Sequence, residues 1–119
     1  MIRLKTFVNA FKGIATAVKN ERNLRLHLIA AVLVVVVGLY FSITTTEWII
    51  VLLLIALVIS LELINTAIEY LVDLVSPQYH EKAGKIKDIA AGAVLVVAIV
   101  SVVIAVLIFW KYVEAWITG

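Results

Sequence analysis

The chain is poor in charged residues, in proline and in sulfur. Only 15% of its 119 residues are charged, one is proline, none is cysteine, and 65% are hydrophobic. The absence of cysteine excludes disulfides and thiolate chemistry. A small soluble domain exposes too much surface to be covered by apolar side chains. The composition therefore indicates one small domain that lies in a membrane.

Glycine-rich phosphate loops are also missing. The five glycines are scattered, and the sequence contains no GxxxxGK[ST], GxGxxG, HRD or DFG motif. A nucleotide site in this chain would therefore be neither a P-loop nor a protein-kinase site. His27 and His80 are too far apart in sequence to indicate a metal pair, and we interpret each as an ordinary interface residue.

Basic residues are confined almost entirely to two regions. Six of the ten lie within the first 25 residues, and Lys82, Lys85 and Lys87 lie in one short polar stretch. The positive-inside rule produces this distribution around membrane spans, so both regions are predicted to be cytoplasmic. The same distribution argues against nucleic acid as the reason for the net charge of +2. Charges throughout the first 25 residues also argue against a secretory signal.

The apolar pattern predicts four helices. Apolar residues at helical spacing over about 3–22 predict an amphipathic helix on the membrane surface, the alternative being a soluble helix packed on a protein core. Apolar runs predict spans at about 27–43, 48–74 and 87–111, within a single domain of 1–119. The predicted fold class is an all-α membrane protein with its N-terminus cytoplasmic and its C-terminus outside.

Polar segments mark the ends of the spans. Thr44-x-x-Glu47 fits a capping box that starts the second span, and Trp48 suits the outer interface. Ser76 and Pro77 end that helix on the cytoplasmic side. Three residues anchor the third span at the outer interface, namely Lys111, Tyr112 and Trp116.

The second span carries a polar stripe, formed by Glu62, Asn65, Glu69 and Asp73. At about 100° per residue the three acids fall within about 40° of one another, and the amide lies about 60° to one side. Each carboxylate in hydrocarbon costs roughly 2.5 kcal/mol or more, so such groups face a protein interior or a watery cavity and indicate function. Two other interpretations stay open: Asp73 is a plain interfacial residue, or the stripe is polar packing between helices.

Other acids add a possible chemistry. Glu21 and Asp88 both lie at the cytoplasmic boundary, and two carboxylates there, such as Glu21 and Glu69, suit Mg²⁺ with phosphate as a further ligand. Lys87 offers a cation for phosphate. Glu62 lies deeper and is placed to accept a proton from a lipid hydroxyl. The residues together favour phosphoryl transfer at the inner membrane surface.

The run from Glu62 to Asp73 closely resembles the signature of the bacterial integral-membrane diacylglycerol kinase family, E-x-x-N-[ST]-A-x-E-x-x-x-D. The resemblance covers the chain from Phe11 to Trp110. It includes three more motifs, Asn20-Glu21-Arg22-Asn23, Tyr79-His80 and Ala83-Gly84-Lys85-Ile86-Lys87-Asp88. Four separated motifs in register make it specific.

The resemblance implies a homotrimeric bundle with active sites shared between protomers, using MgATP to phosphorylate a membrane lipid hydroxyl. It implies that Glu62 is the catalytic base and that Asn65 helps to orient the reacting groups. Glu21 and Glu69 would hold Mg²⁺ against the triphosphate. The remaining nucleotide contacts would come from Lys87 on phosphate and from Gln78, Tyr79, His80 and Asp88.

Departures from the family pattern concern the substrate. Asn9 replaces an aromatic residue that Gram-negative members place near the nucleotide, and Ala91 replaces a serine. Several short motifs are more similar to Gram-positive members, which resemble undecaprenol kinases of the inner (plasma) membrane. The resemblance therefore favours undecaprenol over diacylglycerol as the lipid.

Two hypotheses from other classes compete with a lipid kinase. A small proton- or cation-coupled transport module also uses buried carboxylates, and it predicts ion flux without ATP turnover. An assembly subunit would use the stripe only to join helices, and it predicts that Glu62→Gln leaves function intact. The transport module leaves the cytoplasmic Lys87, Asp88 and Glu21 without an obvious role.

Overall fold

The computed structural model describes residues 3–119, which form four α-helices. Their bounds are α1 Leu4–Asn20, α2 Arg22–Phe41, α3 Thr45–Val75 and α4 Glu81–Thr118. Helices α2, α3 and α4 are each long and apolar enough to cross a membrane, so the prediction of three spans is confirmed. Because α3 and α4 have 31 and 38 residues, they extend to roughly 46 and 57 Å and project well beyond a hydrocarbon core of about 30 Å.

The helices begin earlier than the predicted spans. Helix α4 starts at Glu81 within the polar stretch that contains the three lysines, and α2 starts at Arg22. Apolar runs report the part of a helix that lies in lipid, whereas backbone hydrogen bonding continues into polar sequence. Lys87 and Asp88, which are predicted to contact the nucleotide, consequently lie on a helix that is continuous with the third span.

The turn between α2 and α3 is closed by local hydrogen bonds. Thr44 Oγ1 accepts from the Glu47 backbone N–H at 3.2 Å, and Glu47 Oε1 accepts from the Thr44 N–H at 2.9 Å. This confirms the predicted capping box. Ser42 takes the left-handed conformation at the end of α2, with φ of 52°, and its N–H donates to the carbonyls of Gly38 and Leu39.

Helix α1 meets α2 at a sharp corner. Glu21 alone is extended between them, and Arg25 Nη1 donates to the carbonyls of Val18 and Lys19, both at 2.9 Å, at the end of α1. Ala17 and Leu24 are buried at this corner, while most of α1 is exposed, including large apolar side chains. Its placement on the membrane surface as an amphipathic helix remains a prediction.

A buried carboxylate joins α3 to α4 near the start of α3. Glu47 accepts hydrogen bonds from the Tyr112 hydroxyl and, at 2.9 Å, from Lys111 Nζ, in addition to its capping contact. A small core of Ile43, Val51 and Ile108 lies next to it. Two residues predicted as interfacial anchors therefore also bind the second span to the third.

Gly38 permits close contact between α2 and the start of α3. A Cβ atom at Gly38 would lie 2.8 Å from Cη2 of Trp48 and 3.2 Å from Cδ1 of Ile43. Neither side chain can move away easily, because the Trp48 indole packs against the core and Ile43 is buried. At Gly92, by contrast, a Cβ would meet no atom of the described chain within 4 Å.

We predict that Gly38→Ala destabilises the fold by about 1–3 kcal/mol, since overpacking a close contact forces side chains from their preferred rotamers. Gly92→Ala is the matched control and should stabilise its helix by about 0.5–1 kcal/mol. Denaturation in detergent micelles, followed by circular dichroism, measures both. Equal effects of the two substitutions would contradict the packing argument.

Candidate active site

The polar stripe of α3 runs from a buried end to an exposed end. Glu62 is 3% exposed and Asn65 is 6% exposed, Glu69 is half-buried, and Asp73 is exposed. Over these residues α3 leaves its packing against the other helices and approaches Ser76, where it ends. The stripe therefore passes from a buried environment to an exposed one along a single helix.

The most buried acid of the stripe faces a histidine. His27 of α2 places Nε2 at 3.6 Å from Glu62 Oε2. The other charges that act on the Glu62 carboxyl group are those of Glu69 and Glu21, which are of its own sign. The imidazole is thus in contact with Glu62, while the charges of Glu69 and Glu21 act on that carboxyl group from further away.

Asn65 connects the deep and shallow parts of the stripe. Its Nδ2 donates to Glu69 Oε1 at 3.1 Å. Its Oδ1 is buried and has no hydrogen-bond partner among the described residues. An orphaned amide oxygen beside a carboxylate is a feature that a bound cation or a substrate donor would satisfy.

Lys87 crosses from α4 to the exposed end of the stripe. Its Nζ lies 2.5 Å from Asp73 Oδ1, and Glu69 is also within electrostatic reach of this ammonium group. The pair is largely exposed, so it contributes little to stability. A cation is therefore held close to the carboxylate predicted to bind Mg²⁺.

The other residues predicted around the nucleotide lie on the connection between α3 and α4 or just after it. Gln78, Tyr79 and His80 are exposed, Tyr79 to 91%. His80 caps α4 by accepting from the Lys82 backbone N–H at 3.1 Å. Asp88 is exposed one position after Lys87. None of these four side chains reaches Glu62 within the part of the chain that the structure describes.

The two positions that depart from the family pattern are both on the exposed surface of single helices. Asn9 lies on α1 and Ala91 lies on α4. Neither takes part in the hydrogen bonds or ion pairs of the described chain at the stripe. Their effect on the substrate thus stays a prediction.

The polar residues of α3 lie at increasing distances from Glu62 along the helix. From Glu62 to Glu69 is two helical turns, about 10 Å, and from Glu62 to Ser76 is about 20 Å at 1.5 Å per residue. The exposed loop residues, the half-buried carboxylate and the buried carboxylate therefore follow one another from the α3–α4 connection toward the middle of α3. This order suits an extended polar ligand that points one end toward Glu62.

An apolar cavity is lined in part by His27. It has a volume of about 240 Å³ and lies between α2, α3 and α4. Its walls are almost wholly aliphatic, with His27 and Ser101 as the polar residues among those lining it. The cavity brings hydrocarbon-compatible space to the same imidazole that faces Glu62.

Comparison with known proteins identifies the family. The model of the prokaryotic diacylglycerol kinase family matches residues 8–109. The chain belongs to this family. It is 46% identical over 105 residues to the undecaprenol kinase of Bacillus subtilis, covering 88% of this chain and 85% of that protein. It is 31% identical over 103 residues to the diacylglycerol kinase of Escherichia coli K12, covering 87% and 84%. It is thus a multi-pass membrane protein and a lipid kinase.

Kinases use ATP together with Mg²⁺, so the residues present must be able to bind this ion. Glu21 and Glu69 offer hard carboxylate oxygens, and the orphaned Asn65 Oδ1 lies beside Glu69. No three His, Asp or Glu side chains come together as a ligand set within residues 3–119. Mg²⁺ commonly takes only one or two protein carboxylates and completes its shell with water and substrate phosphates. The residues therefore fit this ion.

Two contacts of this kinase were missed by reasoning from sequence. His27 was interpreted as an ordinary interface residue, yet it contacts Glu62. No cationic partner was predicted for Asp73, yet Lys87 forms an ion pair with it. Both follow from antiparallel pairing: His27 and Glu62 lie 17 residues before and 18 after Thr44, and Asp73 and Lys87 each lie seven residues from His80. Counting outward from the two turns would have found them.

Proposed function

We propose that the chain transfers the γ-phosphoryl group of ATP to undecaprenol, forming undecaprenyl phosphate at the cytoplasmic face of the plasma membrane. The buried Glu62, at the end of a stripe that becomes exposed toward the cytoplasm, is the observation that supports phosphorylation of a lipid hydroxyl. The 46% identity to an undecaprenol kinase, against 31% to a diacylglycerol kinase, supports the polyprenol. Diacylglycerol is the alternative acceptor.

In the proposed reaction Glu62 is the general base. Its carboxylate takes the proton of the lipid hydroxyl, the hydroxyl oxygen forms a bond to the γ-phosphorus, and ADP leaves with the electron pair of the broken P–O bond. Asn65 orients the reacting groups from one turn away. Burial suits this role because water, a competing acceptor, is largely excluded from Glu62.

Glu21 and Glu69 are the proposed ligands for Mg²⁺ at the triphosphate. When bound, the ion neutralises phosphate charge during transfer. Lys87 contributes a second positive charge from α4, close to Glu69. Gln78, Tyr79, His80 and Asp88 are the proposed nucleotide contacts at the exposed end. The triphosphate thereby points inward along α3 toward Glu62.

The active unit is proposed to be a homotrimer whose sites combine residues of neighbouring protomers. Resemblance to the family is the basis for this assembly. In a single chain Gln78, Tyr79 and His80 lie open to their surroundings, which leaves space beside them for a second protomer. The predicted orientation places the N-terminus and the α3–α4 connection in the cytoplasm.

The acceptor is tested by transfer of labelled γ-phosphate in nanodiscs that contain undecaprenol or diacylglycerol. We expect undecaprenol to be labelled faster and Glu62→Gln to lower kcat by about 10²–10⁴, the usual contribution of a general base. The thermal midpoint of the oligomer should not fall, because a neutral amide fills the same space. Preference for diacylglycerol would overturn the acceptor, and an active Glu62→Gln would overturn the base.

Magnesium ligation is tested by Glu69→Gln. Loss of one carboxylate should raise the Mg²⁺ concentration for half-maximal activity by roughly tenfold or more, since a hard cation prefers charged oxygen. Glu114→Gln is the matched control, because Glu114 is exposed near the far end of α4. A Mg²⁺ dependence equal to that of wild type would remove Glu69 from the ligand set.

The role of Lys87 is tested by comparing the two partners of its ion pair. Lys87→Met should raise KM for ATP by roughly tenfold or more, since a hydrogen bond to a charged group contributes about 1.5–3 kcal/mol. Asp73→Asn leaves the ammonium group in place and should change KM much less. Steady-state kinetics at saturating lipid measures both. Equal effects would mean that the lysine serves only to join α3 and α4.

A further inference from the structure

His27 is the one feature beside Glu62 that the proposed reaction does not use. The imidazole lies on α2, 3.6 Å from the Glu62 carboxylate, and the two side chains are 26% and 4% exposed. The separation is that of an ion pair or of a bridged contact, longer than a direct hydrogen bond. This contact lies inside the helix bundle, where the effective dielectric constant is low and electrostatic attraction is strong.

The position of His27 is fixed by the fold. Helices α2 and α3 are antiparallel, and the capped turn at Thr44 sets their register. At the opposite end Arg25 binds the last carbonyls of α1, two residues before His27. A change of rotamer alone therefore leaves the imidazole near the same turn of α3.

The contact with His27 matters because the other charged groups that act on Glu62 are negative. Glu69 and Glu21 both repel the Glu62 carboxylate, and Lys87, the nearest lysine along the stripe, is paired with Asp73 instead. Among the described residues that act on Glu62, His27 is the group that can attract it. Without such a partner, a carboxylate this buried would rotate toward solvent or lose its charge.

His27 also borders the space where a lipid chain fits. His27 contacts Glu62 and is also among the residues that line the apolar cavity between α2, α3 and α4. A hydroxyl carried on hydrocarbon in that cavity would reach the base past His27. The contact therefore lies at the junction of the base and the apolar space.

We propose that His27 is a positioning residue that holds the Glu62 side chain toward the acceptor hydroxyl. This inference rests on the proposed role of Glu62 as the base. It assigns the imidazole no proton transfer and no contact with ATP. It predicts that loss of the imidazole lowers kcat while KM for ATP is retained.

The kinetic test uses His27→Ala with and without added imidazole. We expect kcat to fall roughly tenfold or more, a part of what a general base contributes, with KM for MgATP within twofold of wild type. Free imidazole at millimolar concentration should restore kcat in part by occupying the vacated space. Val34→Ala is the control, because it enlarges the same cavity from the same helix without removing a polar group. It should not respond to imidazole, and a kcat of His27→Ala equal to that of wild type would overturn the proposal.

A second measurement tests the contact without any lipid. In protein labelled with ¹⁵N-histidine, the ring nitrogens of His27 should change resonance position when Glu62 is replaced by Gln. The signals of His80, which caps α4 far from Glu62, are the internal control and should not move. Unchanged His27 signals would overturn the contact.

The two proposals fail in different ways. Full activity of Glu62→Gln would remove the base, and the positioning role with it. An inactive Glu62→Gln together with a fully active His27→Ala would leave the base in place and overturn the role of His27 alone.

Discussion

A carboxylate surrounded by apolar helices costs roughly 2.5 to 3.5 kcal/mol or more unless another group compensates for it. Glu62 is such a carboxylate, and several polar groups lie around it. His27 comes from the preceding helix, Asn65 and Glu69 extend a polar path along α3, and Glu21 lies at the corner where α1 turns into α2. The imidazole can attract the buried carboxylate, whereas Glu69 and Glu21 repel it, so the site holds an excess of negative charge that a bound cation would offset.

Ion pairs lie at both ends of the contact between α3 and α4. Lys111 meets Glu47 at one end, and Lys87 meets Asp73 at the other. Each pair is nearly symmetric about the connection at Tyr79 and His80, because two antiparallel helices rise equally per residue. The exposed Lys87–Asp73 pair adds little stability, so the apolar packing around Val51 and Ile108 carries more of the contact.

Sequence predicted those features that depend on neighbouring residues. The three spans follow from apolar runs, and the start of α3 follows from Thr44 and Glu47, whose capping contacts are local. The contacts of Glu62 with His27 and of Glu47 with Tyr112 were not predicted, since they join residues 35 and 65 positions apart and depend on helix register. The helix ends were also misplaced, because hydropathy reports lipid exposure and not hydrogen bonding.

The gradual change in exposure along α3 has a consequence for how two incompatible reagents meet. A lipid alcohol is confined to hydrocarbon and a nucleotide to water, and an enzyme between them would ordinarily need a moving part to carry one across. If Glu69 and Glu62 act as proposed, about 10 Å of one helix is enough to join the two phases. Each reagent then stays in its own medium, and only the phosphoryl group passes between them.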